Sequence, residues 1–468
     1  MSSTAAPEES GDPKRARLGL DRHSYLFART PYSIRDAIYG SIPLSAAVYN
    51  TLDTRLFQRL KHLKQMGPVY LVYPGATHTR FSHCIGVYHL VRLALQHLTT
   101  LVDIDPEVGR ATLAAALLHD LGHFPNSHVL DDLSIAGQSL SHLQLSVSLI
   151  ESDEEMRSVL HNHWEVDPRL VTDILARREN PRIPKFLYTL IDGPMDMDKL
   201  DYLNRDAHHT GVPYGKVEVQ RLIDFLAVDP ASGELVITEA GVGTVESVIF
   251  AKYLMFRYVY WHHTARIAGA MYNRAVLDCL LALGVTELSI TDARVRRVCL
   301  STDATIAQTL RMLLDEASVP SPPSLVLLER VEDRLLYKRA VSIPCSDANG
   351  RDERYRDSLV RRNKEAELAR VLSATLGAGA TAVRNFDVLI DIPPVAKFAA
   401  DIRGIALEDE HEGPSIVSWE HPRRHSYLSA TTVASMEQSI RHMLYLCDTQ
   451  GPNGGALRQA LRLHPEVL

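Results

Sequence analysis

Apolar residues recur at helical spacing through most of the first 285 residues. Windows with this pattern predict helices at 84–102, 109–121, 142–151, 168–178, 196–207 and over the long stretch 243–283. Only short strand candidates interrupt them, such as Glu234 to Glu239. This helical share lies far above the usual third or so of a globular protein. We therefore expect a mainly α protein with a helical core over residues 20–285.

The pattern changes beyond residue 285, where short apolar runs favour strands. Three runs fit: 324–331, 386–393 and 397–407. A charged helix is predicted at 351–375 and another helix at 430–447. We expect residues 286–468 to form a smaller C-terminal α+β lobe.

Residues 1–19 are polar and aperiodic, which is typical of a disordered tail. The basic run from Pro13 to Arg17 fits a nuclear-import signal, or simply a solvated segment. The sequence has no apolar stretch of the roughly 18 residues that a membrane span needs and no apolar signal region. We expect a cytoplasmic protein, with the nucleus as an alternative in a eukaryote, and no membrane partner.

Composition narrows the function classes only slightly. The chain is 46% hydrophobic and 23% charged, values that exclude wholesale disorder. A net charge of −7 supplies no general basic field, so it gives nucleic-acid binding no support, although a local cluster can still hold an anion. Five scattered cysteines form neither a disulfide framework nor a C-x-x-C metal site. Histidine is abundant, at 21 of 468 residues, and it is the commonest metal ligand.

Candidate chemistry begins at a helix that is apolar all round but ends in polar residues. The run Ala114 to Leu118 should be buried, yet His119, Asp120 and His123 follow it at once. Burying such groups without partners costs several kcal/mol each. A metal ion would satisfy them, and hydrogen bonds to the backbone or to each other are the alternative.

Further titratable residues flank this helix end. His83 lies near the N-terminus of a predicted helix, three residues after Arg80. A tight loop then carries His128 and Asp131, and His142 follows a capping serine at the start of the next helix. The clustering of these groups favours a catalytic or metal site.

A second polar stripe is predicted on the helix 196–207. Asp198, Tyr202 and Asp206 follow the i, i+4, i+8 spacing of one helix face. A solvated acidic face would explain the stripe by itself. The neighbouring Lys199 and Arg205 are instead suited to holding a phosphate.

At this point the residues resemble a known family. The order His83, His119-Asp120, Asp198 is the signature of HD-domain metal phosphohydrolases. Four longer segments match in order: FQRLKHLKQMG at 57–67, PGATHTRFSH at 74–83, HDLGH at 119–123 and DMDKLDY at 196–202. Together they resemble the deoxynucleoside triphosphate (dNTP) triphosphohydrolases of animals and bacteria, over about 30–285 and more loosely to 400. We expect no SAM domain before this region.

The resemblance implies a role for each matching residue. Four would be metal ligands: His83, His119, Asp120 and Asp198. Arg80, Lys199 and Tyr202 would contact the triphosphate, and Gln65 and Asp206 would bind the sugar 3′-hydroxyl. Met66 and Tyr202 would lie against a ribose 2′-hydroxyl. Lys252 and Tyr260, on a later helix, would also contact the substrate. Acid–base and charge-stabilising groups would be His123, His128, Asp131 and His142.

The implied cofactor is one divalent metal (Fe, Mn, Zn or Mg), with additional Mg accompanying the triphosphate. Such an ion activates water for attack on phosphorus. His128, oriented by Asp131, would then protonate the leaving 5′ oxygen. The implied reaction releases a deoxynucleoside and inorganic triphosphate from a dNTP.

Several positions depart from the family pattern. Asp36-Ala37-Ile38-Tyr39-Gly40 replaces the usual D-P-I-H-G, Leu143 replaces a glutamate after the fourth histidine, Met66 replaces a frequent leucine and Lys252 replaces an arginine. The metal ligands are intact, so these changes bear on substrate preference.

Animal members bind an activating guanine nucleotide through an Asp, a Gln and an Arg, where this chain has Asp53, Gln58 and Lys61. Activation by a dNTP or GTP is therefore one reading, and capping and solvation of a helix is the other. The resemblance also implies a homo-oligomer, either dimer or tetramer. Two alternatives stay open: another HD phosphohydrolase acting on nucleotide mono- or diesters, and a catalytically silent sensor that binds nucleotide or nucleic acid.

Overall fold

The computed structural model describes residues 22–27, 30–345, 353–377, 380–395, 405–407, 415–417 and 428–463. The tail predicted at 1–19 and the first part of the strand predicted at 397–407 lie outside these residues. Helices dominate the described residues, and the sheets are small. The prediction of a mainly α protein is confirmed.

Helices build the apolar core of the first 332 residues. In chain order they are Ser24–Phe27, Ala46–Leu52, Arg55–Arg59, Arg80–Leu98, Pro106–Leu118, His142–Ser152, Glu154–Asn162, Pro168–Leu175, Lys185–Ile191, Met197–Thr210, Val219–Asp224, Val242–Met255, His263–Ala282, Ala293–Leu300, Ile306–Glu316 and Val326–Glu332. The helix Pro106–Leu118 is buried on all sides over its second half, as its apolar sequence predicts.

Side-chain caps fix where the helices nearest the candidate site begin. Asp105 accepts hydrogen bonds from the backbone N–H groups at the start of Pro106–Leu118. Asp196 does the same for Met197–Thr210, and Ser141 caps His142–Ser152 as its position predicts. These caps set the helical register of the polar residues that follow.

In the described part of the chain, strands form four small sheets. A hairpin pairs Tyr32–Asp36 with Gly40–Leu44, and a shorter one pairs Ser134–Ile135 with Gln138–Ser139. A four-stranded sheet has the order Ser415–Val417, Ile405–Leu407, Leu235–Thr238, Leu226–Val228. A three-stranded antiparallel sheet places His442–Cys447 between Lys338–Pro344 and Val388–Asp391.

The prediction of a strand at 324–331 is wrong. The chain there forms a short 3-10 turn, Pro323–Leu325, followed by the helix Val326–Glu332. Its buried positions Ser324, Leu327, Leu328 and Val331 follow the i, i+3, i+4, i+7 spacing of one helix face, and Leu325 is buried beside them. A short continuous apolar run fits a buried strand and a buried helix equally well.

The helix predicted at 430–447 is only partly correct. A helix spans Ala430–Ile440, and His442–Cys447 is a strand with five of its six residues buried. Leu444 and Leu446 pack in the main core, and Met443, Tyr445 and Cys447 pack in the smaller one, so both faces of the strand are covered and the sequence shows no alternation. The other C-terminal helices are Ser358–Leu376, within the predicted charged segment, and Gly454–Leu463.

The predicted long helix 243–283 is interrupted. Val242–Met255 passes into a π-helical turn, Phe256–Tyr260, and a new helix starts at His263. Neither proline nor glycine marks the break, so the sequence pattern does not reveal it.

The C-terminal segments pack on a second, smaller core and on the main one. Ion pairs join the two parts: Arg266 binds Asp391 through two hydrogen bonds of 2.6 and 2.9 Å and Asp132 through one of 2.8 Å. The helices between residues 293 and 332 contribute to the main core, and the boundary at 285 stays a prediction. Among the described residues, no helix is long and apolar enough to cross a lipid bilayer.

Candidate functional site

Three helices bring the predicted metal ligands together. His83 lies in the first turn of Arg80–Leu98. His119 and Asp120 follow the end of Pro106–Leu118, and Asp198 lies in the first turn of Met197–Thr210. Two helix starts and one buried helix end therefore converge on this site.

The separations between these four side chains are close to those that a single ion requires. His83 Nε2 lies 3.0 Å from Asp198 Oδ1 and 3.7 Å from Asp120 Oδ2. His119 Nε2 lies 3.8 Å from Asp198 Oδ1 and 3.6 Å from Asp120 Oδ1. An ion bound at about 2.0–2.2 Å from each ligand holds neighbouring ligand atoms roughly 3–3.6 Å apart, so the two longer separations would shorten slightly around an ion. His83, His119 and Asp120 form the tighter group, with ligand atoms within 4.8 Å of one another.

Hydrogen bonds set the tautomers of both histidines. The Nδ1–H of His83 donates to Asp201 Oδ2 at 2.7 Å. The Nδ1–H of His119 donates to the carbonyl of Ala116 at 2.9 Å. Because carboxylate and carbonyl oxygens only accept, each neutral ring carries its lone pair on Nε2, the atom that faces the cluster.

The arrangement passes a chemical test for a metal site. Within the described part of the chain, the buried Nε2 atoms of His83 and His119 make no hydrogen bond of acceptable geometry. A buried polar atom without a partner is costly. Two imidazole nitrogens and two carboxylates form a donor set that suits a divalent transition metal.

The protonation states of His83 and Asp198 depend on each other. Burial opposes protonation of His83, but the nearby carboxylates of Asp198 and Asp201 outweigh it and raise its pKa to about 10. Burial opposes ionisation of Asp198, and His83 and His119 outweigh it, so the pKa of Asp198 falls to about 2. A divalent cation would take the place of the proton that His83 otherwise holds.

Arg80 lies behind Asp120, and its side chain is 2% exposed. It forms an ion pair with Asp120 Oδ2 and donates from Nε to Ser127 Oγ at 3.0 Å. A third, longer bond reaches the carbonyl of Gln65 at 3.4 Å. Arg80 thus orients a candidate ligand, and its predicted contact with a triphosphate stays a prediction.

A group of three histidines lies on the loop after Asp120 and on the next helix. Asp131 accepts from His128 Nδ1 at 2.7 Å and from His142 Nδ1 at 3.2 Å. The rings of His123 and His142 stack with their centroids 4.2 Å apart. Gly122 permits this approach, because a Cβ there would overlap the backbone of the helix His142–Ser152.

His123 differs from its neighbours in tautomer. Its Nδ1 accepts a hydrogen bond from the backbone N–H of Phe124 at 2.9 Å. Burial, then the charges of Arg80 and His142, lower its pKa well below the usual value. The neutral ring therefore carries its proton on Nε2, which is buried and has no partner among the described residues. His123 can donate to an oxygen of a bound anion, and in this tautomer its Nε2 cannot ligate a metal.

The predicted sugar-side residues lie beside the helix Met197–Thr210. Asp206 accepts from Tyr260 Oη at 2.8 Å and bonds His78 Nε2 at 2.7 Å. Gln65 and Met66 are buried, and Gln65 Oε1 has no partner among the described residues.

The remaining predicted substrate contacts are basic or aromatic. Lys199 Nζ binds Asp196 Oδ2 at 2.5 Å. Burial, then the charge of Lys199, lower the pKa of Lys252 to about 8. The rings of Tyr202 and Tyr260 meet edge to face with centroids 6.1 Å apart.

The three residues predicted to bind an activating nucleotide make local contacts. Gln58 Nε2 donates to the carbonyl of Leu52 at 2.6 Å, and Lys61 Nζ donates to Gln58 Oε1 at 2.8 Å. Asp53 is exposed at the C-terminal end of Ala46–Leu52. Their regulatory role stays a prediction.

Two residues of this site, Asp201 and His78, were not predicted from the sequence to have a role. A signal existed for Asp201, which follows Leu200 on the apolar side of its helix, where a carboxylate requires a partner. His78 had no comparable signal, because its partner Asp206 is 128 positions away.

Comparisons with known proteins place these segments in a family context. The family model described as HD domain matches residues 80–179, and the model described as HD associated region matches residues 217–412. A solved structure of a phosphohydrolase from Bacteroides thetaiotaomicron is 27% identical, with a TM-score of 0.66 over 89% of this chain and 99% of that one.

Similar curated proteins come from a bacterium, an archaeon and human. Protein YwfO of Bacillus subtilis, which is uncharacterised, is 36% identical over 48% of this chain and 51% of its own length. Protein MJ1154 of Methanocaldococcus jannaschii, also uncharacterised, is 28% identical over 68% and 61%. Human deoxynucleoside triphosphate triphosphohydrolase SAMHD1 is 27% identical over 70% and 58%. The chain thus spans a little over half the length of each of these relatives.

Proposed function

Since this chain is an HD-domain protein with an HD-associated region after the domain, we propose that it is a metal-dependent phosphohydrolase that converts dNTPs to deoxynucleosides and inorganic triphosphate. The phosphohydrolase part is supported by the HD domain and by the similarity to a solved phosphohydrolase. The choice of dNTPs is supported by similarity to the dNTP triphosphohydrolases SAMHD1 of several vertebrates.

One observation carries the proposal: four side chains from three helices present metal-binding atoms to one point. His83, His119, Asp120 and Asp198 would hold the ion. A divalent ion so placed supplies an activated water and polarises a phosphoryl oxygen near neutral pH. Asp201 and the carbonyl of Ala116 keep the two Nε2 lone pairs directed at the ion.

The histidine group is suited to the rest of the reaction. The oxygen of water would bond to the α-phosphorus as the bond from that phosphorus to the 5′ oxygen breaks, and the proton that the water loses passes to solvent, from which the His128 ring regains the proton it donates. His128 gives its Nε2 proton to the leaving 5′ oxygen, and Asp131 orients the ring from the opposite nitrogen. His123 donates its Nε2 hydrogen to a phosphoryl oxygen, where negative charge develops.

Substrate selection is assigned to the sugar-side residues. Asp206 has free lone pairs beyond its bonds to His78 and Tyr260, so it can accept from a 3′-hydroxyl. Gln65 Oε1 offers a second acceptor. Met66 and Tyr202 would crowd a ribose 2′-hydroxyl, and Lys199 and Lys252 would balance the triphosphate charge.

The decisive experiment identifies products. Purified protein is incubated with each of the four dNTPs, singly and mixed, with Mg²⁺ or Mn²⁺, and products are separated by anion-exchange chromatography and assigned by phosphorus NMR. Inorganic triphosphate and a deoxynucleoside support the proposal. A monophosphate with pyrophosphate indicates a different HD phosphohydrolase, and nucleotide binding without turnover indicates a sensor.

The same assay tests regulation and assembly. Turnover only in mixtures, lost on Lys61→Ala, would support an activating nucleotide site at Asp53, Gln58 and Lys61. Light scattering with and without nucleotide tests the predicted dimer or tetramer.

A further inference from the structure

A buried chain of charged side chains leads from the metal centre to the N-terminal hairpin. His83 Nδ1 donates to Asp201 Oδ2 at 2.7 Å. Arg205 binds both oxygens of Asp201, at 2.8 and 2.9 Å, and donates from Nη1 to Asp36 Oδ2 at 2.8 Å. Each of these four side chains is 5% exposed or less. The chain therefore runs entirely inside the protein.

Its charges match the requirement of a divalent ion. The ionised groups around His83 are the carboxylates Asp36, Asp120, Asp198 and Asp201 and the guanidinium groups Arg80 and Arg205, and all of them except the partly exposed Asp198 are buried. Four negative charges facing two positive ones leave two negative charges. Because uncompensated buried charge is costly, a divalent cation on neutral histidines would balance this set.

Asp36 is held by its own turn. It closes the strand Tyr32–Asp36, and its Oδ1 accepts from the backbone N–H groups of Ile38 and Tyr39 at 2.8 and 3.0 Å. Gly40 completes the turn at φ 75°, a conformation that favours glycine. The other oxygen, Oδ2, is thereby aimed at Arg205. This is the segment in which the sequence departs from the family's D-P-I-H-G.

The helix that carries His83 packs directly on the pair Asp201 and Arg205. Gly86 lies on this helix nearly one turn after His83, and a Cβ at Gly86 would overlap both Asp201 Oδ1 and Arg205 Nη2. Nothing larger than glycine fits without moving the pair, so the close packing limits how far Asp201 can shift away from His83.

We propose that Asp201, Arg205 and Asp36 are positioning residues for His83. Through Asp36, the N-terminal hairpin, formed by Tyr32–Asp36 and Gly40–Leu44, thereby helps to position a ligand of the metal centre. Asp201 holds the tautomer and ring orientation, Arg205 holds both oxygens of Asp201, and Asp36 anchors Arg205. This inference rests on the proposed function, because it assumes that His83 binds a metal.

The test measures metal affinity directly. Wild type, Asp201→Asn and Asp36→Asn are stripped with chelator, and Mn²⁺ and Co²⁺ dissociation constants are measured by calorimetry, with the visible spectrum of bound Co²⁺ as a second readout. Asp36→Asn keeps an oxygen for the Ile38 and Tyr39 N–H groups and replaces the charged acceptor for Arg205 with a neutral amide NH2. Loss of an outer partner of a metal-binding histidine typically weakens metal affinity about 10- to 100-fold.

Asp448→Asn is the matched control. Asp448 is buried, accepts from the backbone N–H groups of Gln450 and Gly451, and pairs with Arg330 at 2.7 and 2.8 Å. It repeats the environment of Asp36 but contacts no residue of the metal centre. Thermal unfolding of the metal-free proteins compares the purely structural cost of the two changes.

We expect Asp201→Asn to weaken Mn²⁺ binding about 10- to 100-fold. Asp36→Asn should weaken it by at least about threefold and shift the Co²⁺ spectrum. Asp448→Asn should leave both the Mn²⁺ affinity and the Co²⁺ spectrum unchanged. If Asp36→Asn has the same metal affinity and Co²⁺ spectrum as Asp448→Asn, the proposed role of the hairpin is wrong. Unchanged affinity in Asp201→Asn would overturn the whole proposal. Wild-type protein that binds neither ion would overturn the proposed function itself.

Discussion

Among single residues, Asp198 has the most exposed side chain of the four at the metal centre, at 31%, so it can be changed with the least damage to packing. We expect Asp198→Asn to lower both metal affinity and kcat by more than about 100-fold, beyond the usual cost of an outer-shell change. Metal content after dialysis and turnover of dNTPs measure the two effects. The exposed Asp192→Asn is the control, and wild-type metal content in Asp198→Asn would contradict the assignment.

Asp131 controls the charge of His142. Burial opposes protonation of His142, but the charge and hydrogen bond of Asp131 outweigh it, so its pKa is raised. A raised pKa keeps the ring protonated as pH rises, which preserves positive charge beside the phosphates. Asp131→Asn removes this support and lowers the pKa. We expect the alkaline limb of kcat/KM against pH to move to lower pH, and an unmoved limb would count against the assignment.

His78 is expected to tune substrate binding through Asp206. Removing its hydrogen bond frees one oxygen of a buried carboxylate, and bonds to charged groups contribute about 1.5–3 kcal/mol. We expect His78→Ala to lower kcat/KM for dNTPs about tenfold or more, mainly through KM, and His78→Gln to restore part of it. Tyr260→Phe, which removes the other donor to Asp206, should have a similar effect. Equal losses in kcat alone would point to the metal centre instead.

At the residue scale, the sequence was most informative where burial and chemistry conflict. His119 and Asp120 follow a helix that is apolar all round, so a partner was predictable from cost alone. The identity of that partner, and the roles of Asp131 and Asp206, came from the family resemblance. Asp36 and His78 act through residues more than 100 positions away, and no local pattern predicts which helices bring such pairs together.

At the scale of elements, Arg59 joins two segments of the main core. Its guanidinium donates to five backbone carbonyls, those of Leu121, His123, Cys299, Leu300 and Ser301. It thereby ties the C-terminal end of the helix Ala293–Leu300 to the loop that carries His123.

We expect Arg59→Met to lower the free energy of unfolding by at least about 3 kcal/mol, because several buried carbonyls lose their donor at about 1–3 kcal/mol each. Denaturant unfolding measures the loss. Arg311→Met is the control, since Arg311 forms an exposed pair with Glu329 and such pairs contribute about 1 kcal/mol or less. Equal losses would show that the carbonyl contacts contribute little.

The ends of the helices and strands show where the local apolar pattern of the sequence no longer determines the structure. Helices with a clear apolar face and a capping residue, such as His142–Ser152, were predicted within a residue or so. Residues 325–328 and 443–447 are continuous apolar runs, and a short run of this kind fits a buried helix and a buried strand equally well. The break after Met255 contains neither proline nor glycine, so it left no trace in composition.

On the scale of the whole molecule, the metal would tie together three helices that are far apart in sequence. An ion that binds only the folded protein stabilises it by about 2.7 kcal/mol at a concentration 100 times its dissociation constant. We expect chelation to lower the unfolding temperature and added Mn²⁺ to restore it in a concentration-dependent way. Asp198→Asn should remove this response, and a response that survives in the variant would place the ion elsewhere.

The two parts of the molecule are joined at the loop that carries His128 and Asp131. Arg266 connects Asp391 of the C-terminal sheet to Asp132, the residue next to Asp131. A mainly helical fold with small sheets was predictable from the apolar pattern, whereas the boundary near residue 285 stays a prediction. This ion-pair connection was not predictable, because it depends on how the C-terminal segments dock.

The strand order of the C-terminal sheet also constrains biosynthesis. The middle strand, His442–Cys447, is the last of the three to leave the ribosome, while its two neighbours emerge some 50 to 100 residues earlier. Until it arrives, those neighbours have no ladder to join and expose unpaired edges. A nascent chain would therefore complete its helical core first, and chaperone demand during translation should concentrate on the interval before residue 447 is released.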